Sequence, residues 1–230
     1  TFFNNIFKLE HGSSFVIKNN KVSFSKWYNL SNKIKYSTNG LTQASESFNF
    51  LFNDSIRLRL RSDVAVGVCL SGGLDSSAIV SNLINDFKKN DLSTFSAVYK
   101  KHKDVDESKF INLYNDVLQN MHYTSPDHNN FFNDYLDFIK AQTEPVASLG
   151  PYAQFKVMEL ASKHVKVTLD GQGADEELGG YHYFFGVYFK ELLYSLSLIK
   201  LLKENVFYLK NHSSILAFKY FIFYLLPINL

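Results

Sequence analysis

Val64-Ala65-Val66-Gly67-Val68-Cys69-Leu70 is an unbroken apolar run, bounded by Asp63 before it and Ser71 after it. A strand with one wet face alternates apolar and polar residues. A run without alternation reads as a strand covered on both faces. Such strands belong to parallel sheets, whose connections cross over through helices. This one segment already points to an α/β chain.

The remaining pattern agrees. Residues 94–99, 121–124 and 165–169 are further short strand-like runs. Between them lie apolar residues at helical spacing. Leu74, Ala78, Ile79, Leu83 and Phe87 share one helix. Asp106-Glu107-Ser108 opens a second, with Phe110, Ile111, Tyr114 and Leu118 as its face. Ser125-Pro126-Asp127 starts a third that ends near Thr143, and Val157, Leu160 and Ala161 mark a fourth. Upstream, a helix from Thr42 is expected to carry Phe48, Leu51, Phe52, Ser55 and Ile56 on one face. It closes on Arg57, Arg59 and Arg61, where positive charge complements the helix dipole. A phosphate-facing role for one of these arginines is the alternative. Residues 15–17 and 22–24 read as a hairpin around Asn19-Asn20-Lys21. Residues 31–40 read as a linker.

From Tyr181 the chain is helical and rich in aromatics. Residues 215–226 are apolar apart from Lys219. That is shorter than the roughly 18 to 20 residues a membrane span needs. A buried helix is expected there, with a membrane-associated helix as the minority alternative.

Composition narrows the function classes. Hydrophobic residues make up 46% and charged residues 20%, so the chain can bury a core. A net charge of +2 gives no support for a nucleic-acid partner. Cys69 is the single cysteine, which excludes an internal disulfide and a multi-cysteine metal site. Inside its apolar run it reads as a core thiol rather than a nucleophile. No segment looks like a signal peptide, and a cytoplasmic setting fits.

Two motifs carry chemistry. The first, Ser71-Gly72-Gly73-Leu74-Asp75-Ser76-Ser77, lies directly between the buried strand and a helix. Two glycines let the backbone turn sharply and approach a ligand. The helix behind them offers unpaired N–H groups and a positive dipole end, an anion cradle suited to phosphate. The three serines add hydroxyl donors. Asp75 would repel phosphate directly, so its expected work is to hold a bridging Mg²⁺. The loop lacks the Gly-Lys-Ser/Thr ending of a Walker A loop. The plain alternative is a strand-to-helix turn with Asp75 as N-cap.

The second motif runs from Leu169 through Asp170-Gly171-Gln172-Gly173-Ala174-Asp175-Glu176-Glu177 to Gly179-Gly180-Tyr181. It too follows a strand, and open α/β sheets bind ligands at strand carboxyl ends. Both motifs are therefore expected on one sheet edge. Asp175 would supply a second carboxylate to the metal held by Asp75. For Glu177, a charged first helical turn is the better reading.

The pairing of Ser-Gly-Gly-Leu-Asp-Ser-Ser with Gly-Gln-Gly-Ala-Asp-Glu resembles the synthetase domain of glutamine-hydrolysing asparagine synthetases, within the ATP-pyrophosphatase superfamily. Glu107-Ser108, Glu144-Pro145, Ser148 and Tyr152-Ala153-Gln154 extend the likeness. The resemblance implies a parallel sheet of the adenine-nucleotide α-hydrolase type with added C-terminal helices. It implies that ATP is cut between its α and β phosphates and that a carboxylate is activated as an adenylate. For this family the carboxylate is the aspartate side chain, and the amine is ammonia released from glutamine.

By the same resemblance, Ser71, Gly72, Gly73, Leu74, Asp75, Ser76 and Ser77 meet ATP or pyrophosphate. Leu70, Val98, Gly171 and Gly173 adjoin the nucleotide, and Asp75 and Asp175 hold Mg²⁺. Gln172 stands where many members have a glutamate that handles ammonia or aspartate. An amide cannot take a proton at neutral pH, so a general-base role there is in doubt.

Residues 1–30 resemble the end of an N-terminal glutaminase domain of the same parent chain, and 41–230 the synthetase domain. The family's charge-stabilising lysine is expected beyond Leu230; Lys190, Lys200 and Lys203 lie too close to the motif to replace it. The chain alone is therefore expected to bind MgATP yet form little amide. A sugar amidotransferase, a β-lactam-forming synthetase and a non-catalytic ATP-binding relative are the competing readings. Nothing in the pattern fixes the oligomeric state, and a homodimer stays open.

Overall fold

The computed structural model describes residues 1–35, 40–99, 106–212 and 214–226. It divides into two compact units, Thr1–Asp170 and Gly171–Leu230. Residues 36–39 of the expected linker lie outside the described residues.

The first unit opens with a hairpin of β1 (Ser13–Lys18) and β2 (Lys21–Lys26). Lys18 pairs with Lys21 across Asn19 and Asn20, whose φ angles are 51° and 55°. Two consecutive positive φ values make the type I′ turn that suits a twisted hairpin, and asparagine tolerates them well. Helix α1 (Leu41–Arg59) follows. Its expected apolar face is only half used: Ile56 is buried and Phe52 packs on the core, but Phe48 and Leu51 are exposed. The core reaches only the last turns of this helix. Arg57 bonds Asp54 within the helix, and Arg59 bonds the Ser55 carbonyl, as the helix-terminal reading requires.

The central sheet is β3 (Val66–Cys69), β4 (Ser93–Ala97), β5 (Asn120–Thr124) and β6 (Val167–Leu169), all parallel, in the order β5-β4-β3-β6. The apolar run pairs only from Val66, opposite Val167. Helices α2 (Leu74–Asn85), α3 (Ser108–Ile111), α4 (His128–Gln142) and α5 (Gly150–Ala161) connect the strands. Val68 and Leu70 turn to one face, against Val80, Leu83 and Ile111. Phe95 turns to the other, against Val157, Ala161 and Val165. The central strands are thus covered on both faces, and the α/β class with a parallel sheet holds.

Two helix readings need correction. Leu74 is not part of the apolar face of α2; it is 85% exposed at the helix start. The second crossover is shorter than its spacing suggested, because α3 tightens into a 3-10 turn at Asn112–Tyr114. Asn112, Asn115 and Asp116 are weak helix formers. Tyr114 is also drawn onto α2 by hydrogen bonds to the Ser81 hydroxyl (2.9 Å) and the Ser77 carbonyl (3.1 Å).

The second unit holds α6 (Ala174–Leu178), α7 (His182–Tyr194), α8 (Leu198–His212) and α9 (Leu216–Leu225). Phe189 and Tyr208 are buried within it, and the Tyr208 hydroxyl meets His182 Nδ1 at 2.8 Å. The stretch at 215–226 is helical but not buried as expected. Only Ala217 is buried among its described residues, because α9 meets α7 along one side while Ile222 and Phe223 face out. Among the described residues no helix is long and apolar enough to cross a membrane.

Gly67 is set by space rather than by backbone angle. A Cβ there would stand 2.6 Å from Phe95 Cε2 and 3.0 Å from the Ser93 carbonyl oxygen. Gly67→Ala is expected to cost about 1–3 kcal/mol by overpacking. Denaturant unfolding checks it, and an unchanged midpoint would show that the Phe95 ring can move aside.

Candidate active site

The site begins where β3 ends. The Leu70 N–H donates to the Phe95 carbonyl (2.9 Å), and the buried Ser96 hydroxyl donates to the Leu70 carbonyl (2.6 Å). The strand end is therefore pinned on both of its polar groups. The chain then turns through Gly72 at φ +91°, in the left-handed region that glycine enters without cost. A Cβ at this position would lie 2.9 Å from the Glu107 carbonyl oxygen.

Gly73, not Asp75, is the N-cap of α2, and no side chain caps it. The opening N–H groups of a helix have no carbonyl one turn back within it, and here they belong to Leu74, Asp75 and Ser76. Asp75 sits in that first turn. Ser71 and Ser76 brace the loop internally. Ser71 Oγ accepts from the Gly73 N–H (3.2 Å) and lies 3.0 Å from Ser76 Oγ, which accepts from the Ser71 N–H (3.2 Å). Their hydroxyls thus shape the turn.

A cleft of about 220 Å³ opens beside this loop. Leu70 and Ser71 line it just past β3, Ala97 and Tyr99 at and beyond the end of β4, Glu107 at the start of α3, and Gly150, Ala153 and Gln154 from α5. Of the expected nucleotide neighbours, Leu70 lines the cleft. The Val98 side chain, like that of Leu70, packs in the core with Val68 and Leu83. The Val98 N–H is bonded to the Thr124 carbonyl and its carbonyl to the Ser125 hydroxyl. Phe95 and Ala97 of β4, and Tyr99 beyond its end, alternate onto the side that faces the cleft.

Cys69 lines the cleft floor. Burial, then the hydrogen bond and charge of Asp170, push its thiol up to about 12. It is a neutral thiol at physiological pH, as expected of a core cysteine. Asp170 follows β6 at the same sheet edge, Leu169 lying in register with Val68, and it accepts from the Thr168 hydroxyl (3.2 Å).

From Gly171 the chain enters the second unit. The Gly171 carbonyl accepts from the Ala174 N–H (3.3 Å), and Gly173 adopts φ +100° before α6. Gln172 and Asp175 are exposed. Gly180 donates its N–H to the Asp175 carbonyl (2.9 Å), and its α-carbon packs against the Asp175 carboxylate, leaving no room for a Cβ. Tyr181 donates to Glu176 (3.0 Å), which pushes its own phenol upward. Asp75 belongs to the first unit and Asp175 to the second. Among the described residues no cluster of three or more histidine, cysteine or acidic side chains gathers as a ready metal site.

The asparagine synthase family model matches residues 47–214, from within α1 through α8, and so takes in both glycine-rich motifs. The chain belongs to the asparagine synthase family. It is 31% identical over 183 residues to a putative glutamine-hydrolysing asparagine synthetase 2 of Methanocaldococcus jannaschii, covering 78% of this chain and 35% of that protein. It is 32% identical over 179 residues to the glutamine-hydrolysing asparagine synthetase 1 of Bacillus subtilis, covering 77% and 28%. A more distant relative, 24% identical over 201 residues, is named amidase chry2 in Gibberella zeae; the match covers 80% of this chain and 30% of that protein. The chain spans about a third of the length of these curated relatives.

The state of Cys69 gives a pH test. A thiol with a pKa of about 12 reacts through a thiolate that is scarce below that pH. Alkylation by iodoacetamide is expected to be slow at pH 8 and to stay far below that of an ordinary cysteine, which is half ionised at about pH 8.5, through the mildly alkaline range. Fast labelling at pH 8 in folded protein would contradict a buried, Asp170-shadowed thiol.

Proposed function

We propose that this chain is the ATP-using part of an amide-forming synthetase. It activates the side-chain carboxylate of aspartate as an adenylate, releases pyrophosphate, and passes the adenylate to ammonia derived from glutamine, giving asparagine and AMP. The observation that carries this reading is the uncapped start of α2, reached through left-handed Gly72 and opening beside the cleft. Family membership supports ATP-dependent amide synthesis, and the relatives' names support asparagine as product.

We assign the roles as follows. The first N–H groups of α2 and its dipole bind phosphate oxygens. Gly72 keeps the backbone low enough for close approach. Leu70, Ala97 and Tyr99 wall the cleft for the adenine ring. Asp75 and Asp175 are assigned as Mg²⁺ ligands on the strength of the two glycine-rich motifs that carry them. When bound, the metal neutralises polyphosphate charge and favours pyrophosphate departure. The chain's own contribution is orientation and fixed dipoles, the terms that dominate such transfers. Gln172 would orient ammonia or the acid through its amide.

Residues 1–30 are read as the end of a glutaminase domain. Support comes from the β1–β2 hairpin, whose Phe15, Ile17, Val22 and Phe24 are all exposed. Two strands with both faces open are marginal alone and suit a larger sheet. A second reading, that the acid is not aspartate, is favoured by the relative named as an amidase.

In the full-length protein, α-labelled ATP is expected to yield labelled AMP with release of pyrophosphate. Labelled ADP as the main product would refute the assignment. Asp75→Ala should lower turnover by about 10²-fold or more, the scale of losing a preorganised electrostatic partner. Asp175→Ala should behave alike, and the double variant should fall well short of the product of the two losses if both serve one metal. Fully multiplicative losses would separate their roles.

A further inference from the structure

Asp106 stands at a junction that the proposed chemistry leaves unexplained. Its Oδ1 accepts from the backbone N–H of Tyr99 (3.0 Å) and, at longer range, from the N–H of Ser108 (3.4 Å). Its Oδ2 accepts from the Ser108 hydroxyl (2.6 Å). One carboxylate thus joins the residue just past β4 to the first residue of α3. Both ends of this joint border the cleft, since Tyr99 and Glu107 line it.

The joint acts on the turn through Glu107. The Glu107 carbonyl accepts from the N–H groups of Phe110 (2.9 Å) and Ile111 (3.4 Å), and Ile111 is fully buried. That oxygen is therefore fixed, and it is the atom a Cβ on Gly72 would meet at 2.9 Å. The Glu107 Cβ and Ile111 Cγ1 crowd the same point, at 3.1 Å and 3.3 Å. The left-handed turn at Gly72 rests on a floor made by the start of α3, and Asp106 holds that floor to β4.

We propose that Asp106 is a positioning residue for the nucleotide loop: its carboxylate locks the start of α3 to the end of β4 and so fixes the backbone against which Gly72 turns. The inference rests on the reading that this loop binds ATP. A side chain that merely stabilised the fold would act differently. Its loss would leave fewer folded molecules, lowering apparent kcat at unchanged KM. Loss of a loop-positioning group weakens every ATP contact the loop makes.

The test uses the full-length protein, with direct titration of MgATP and steady-state pyrophosphate release. Asp106→Ala is expected to raise both the Kd and the KM for ATP by about tenfold, the scale of losing charge-assisted hydrogen bonds, with kcat within about threefold. Asp106→Asn keeps an acceptor oxygen for the Tyr99 N–H and can still bond Ser108 Oγ. It is expected to stay within about threefold of the parent in both. Ser108→Ala removes only the hydroxyl bond and should raise the KM by about threefold, and it serves if Asp106→Ala does not fold. An unchanged Kd and KM in Asp106→Ala, or in Ser108→Ala where that stands in, overturns the proposal. So does an Asn variant as impaired as the Ala variant. A parent protein that binds no MgATP overturns the nucleotide reading itself, an outcome the titration separates from failure of the clamp.

Discussion

The hydrogen bond from Ser96 to the Leu70 carbonyl sets the position of everything at the working edge. Leu70 is completely buried, and a buried carbonyl without a donor carries a large desolvation cost. β3 has reached the end of its ladder there, so no strand amide is left to serve that oxygen. The Ser96 hydroxyl does so at 2.6 Å, while Phe95 accepts the Leu70 N–H. With both polar groups satisfied, the chain can leave the sheet abruptly and spend the next residues on a turn. A looser strand end would let Ser71, Gly72 and the start of α2 drift together.

The turn has a second support from the opposite side. Within it, Ser71 and Ser76 exchange hydrogen bonds, closing a small ring over Gly73. Outside it, the start of α3 presses on Gly72. The start of α2 is thus held from both sides. On the proposed reading such preorganisation would spare reorganisation during charge transfer. Leu74 is the first residue of α2 and stays exposed.

Much of the fold was legible because parallel strands write themselves as apolar runs. The four sheet strands, their direction and the left-to-right alternation of helix and strand follow from the runs at Val66, Thr94, Met121 and Val167. Faces were harder. Phe48 and Leu51 obey helical spacing but extend past the edge of the core, and spacing cannot report where a core stops. The apolar stretch around Phe223 was expected inside for the same reason. The phosphate-type turn was readable from its glycines, and α2 does start at Gly73 rather than at an Asp75 cap. Tyr99 was hidden because it lies past the strand end, and only the alternation of β4 reveals its side. Asp106 was hidden because its partners are backbone groups, which leave no trace in residue types.

The described lining of the cleft bears on the form of the motifs. A polyanion site is commonly met with lysine or arginine, and among the described residues the one charged lining group is Glu107, while the cysteine is held neutral by burial and by Asp170. On the proposed reading a bound cation would bring positive charge to the polyphosphate, and acidic residues follow both glycine-rich turns. Asp75 and Asp175 are then less a paradox of anions beside phosphate than the means of bringing positive charge to it. Gly180 serves that end locally, because only a residue without a Cβ leaves room for the Asp175 carboxylate where it stands.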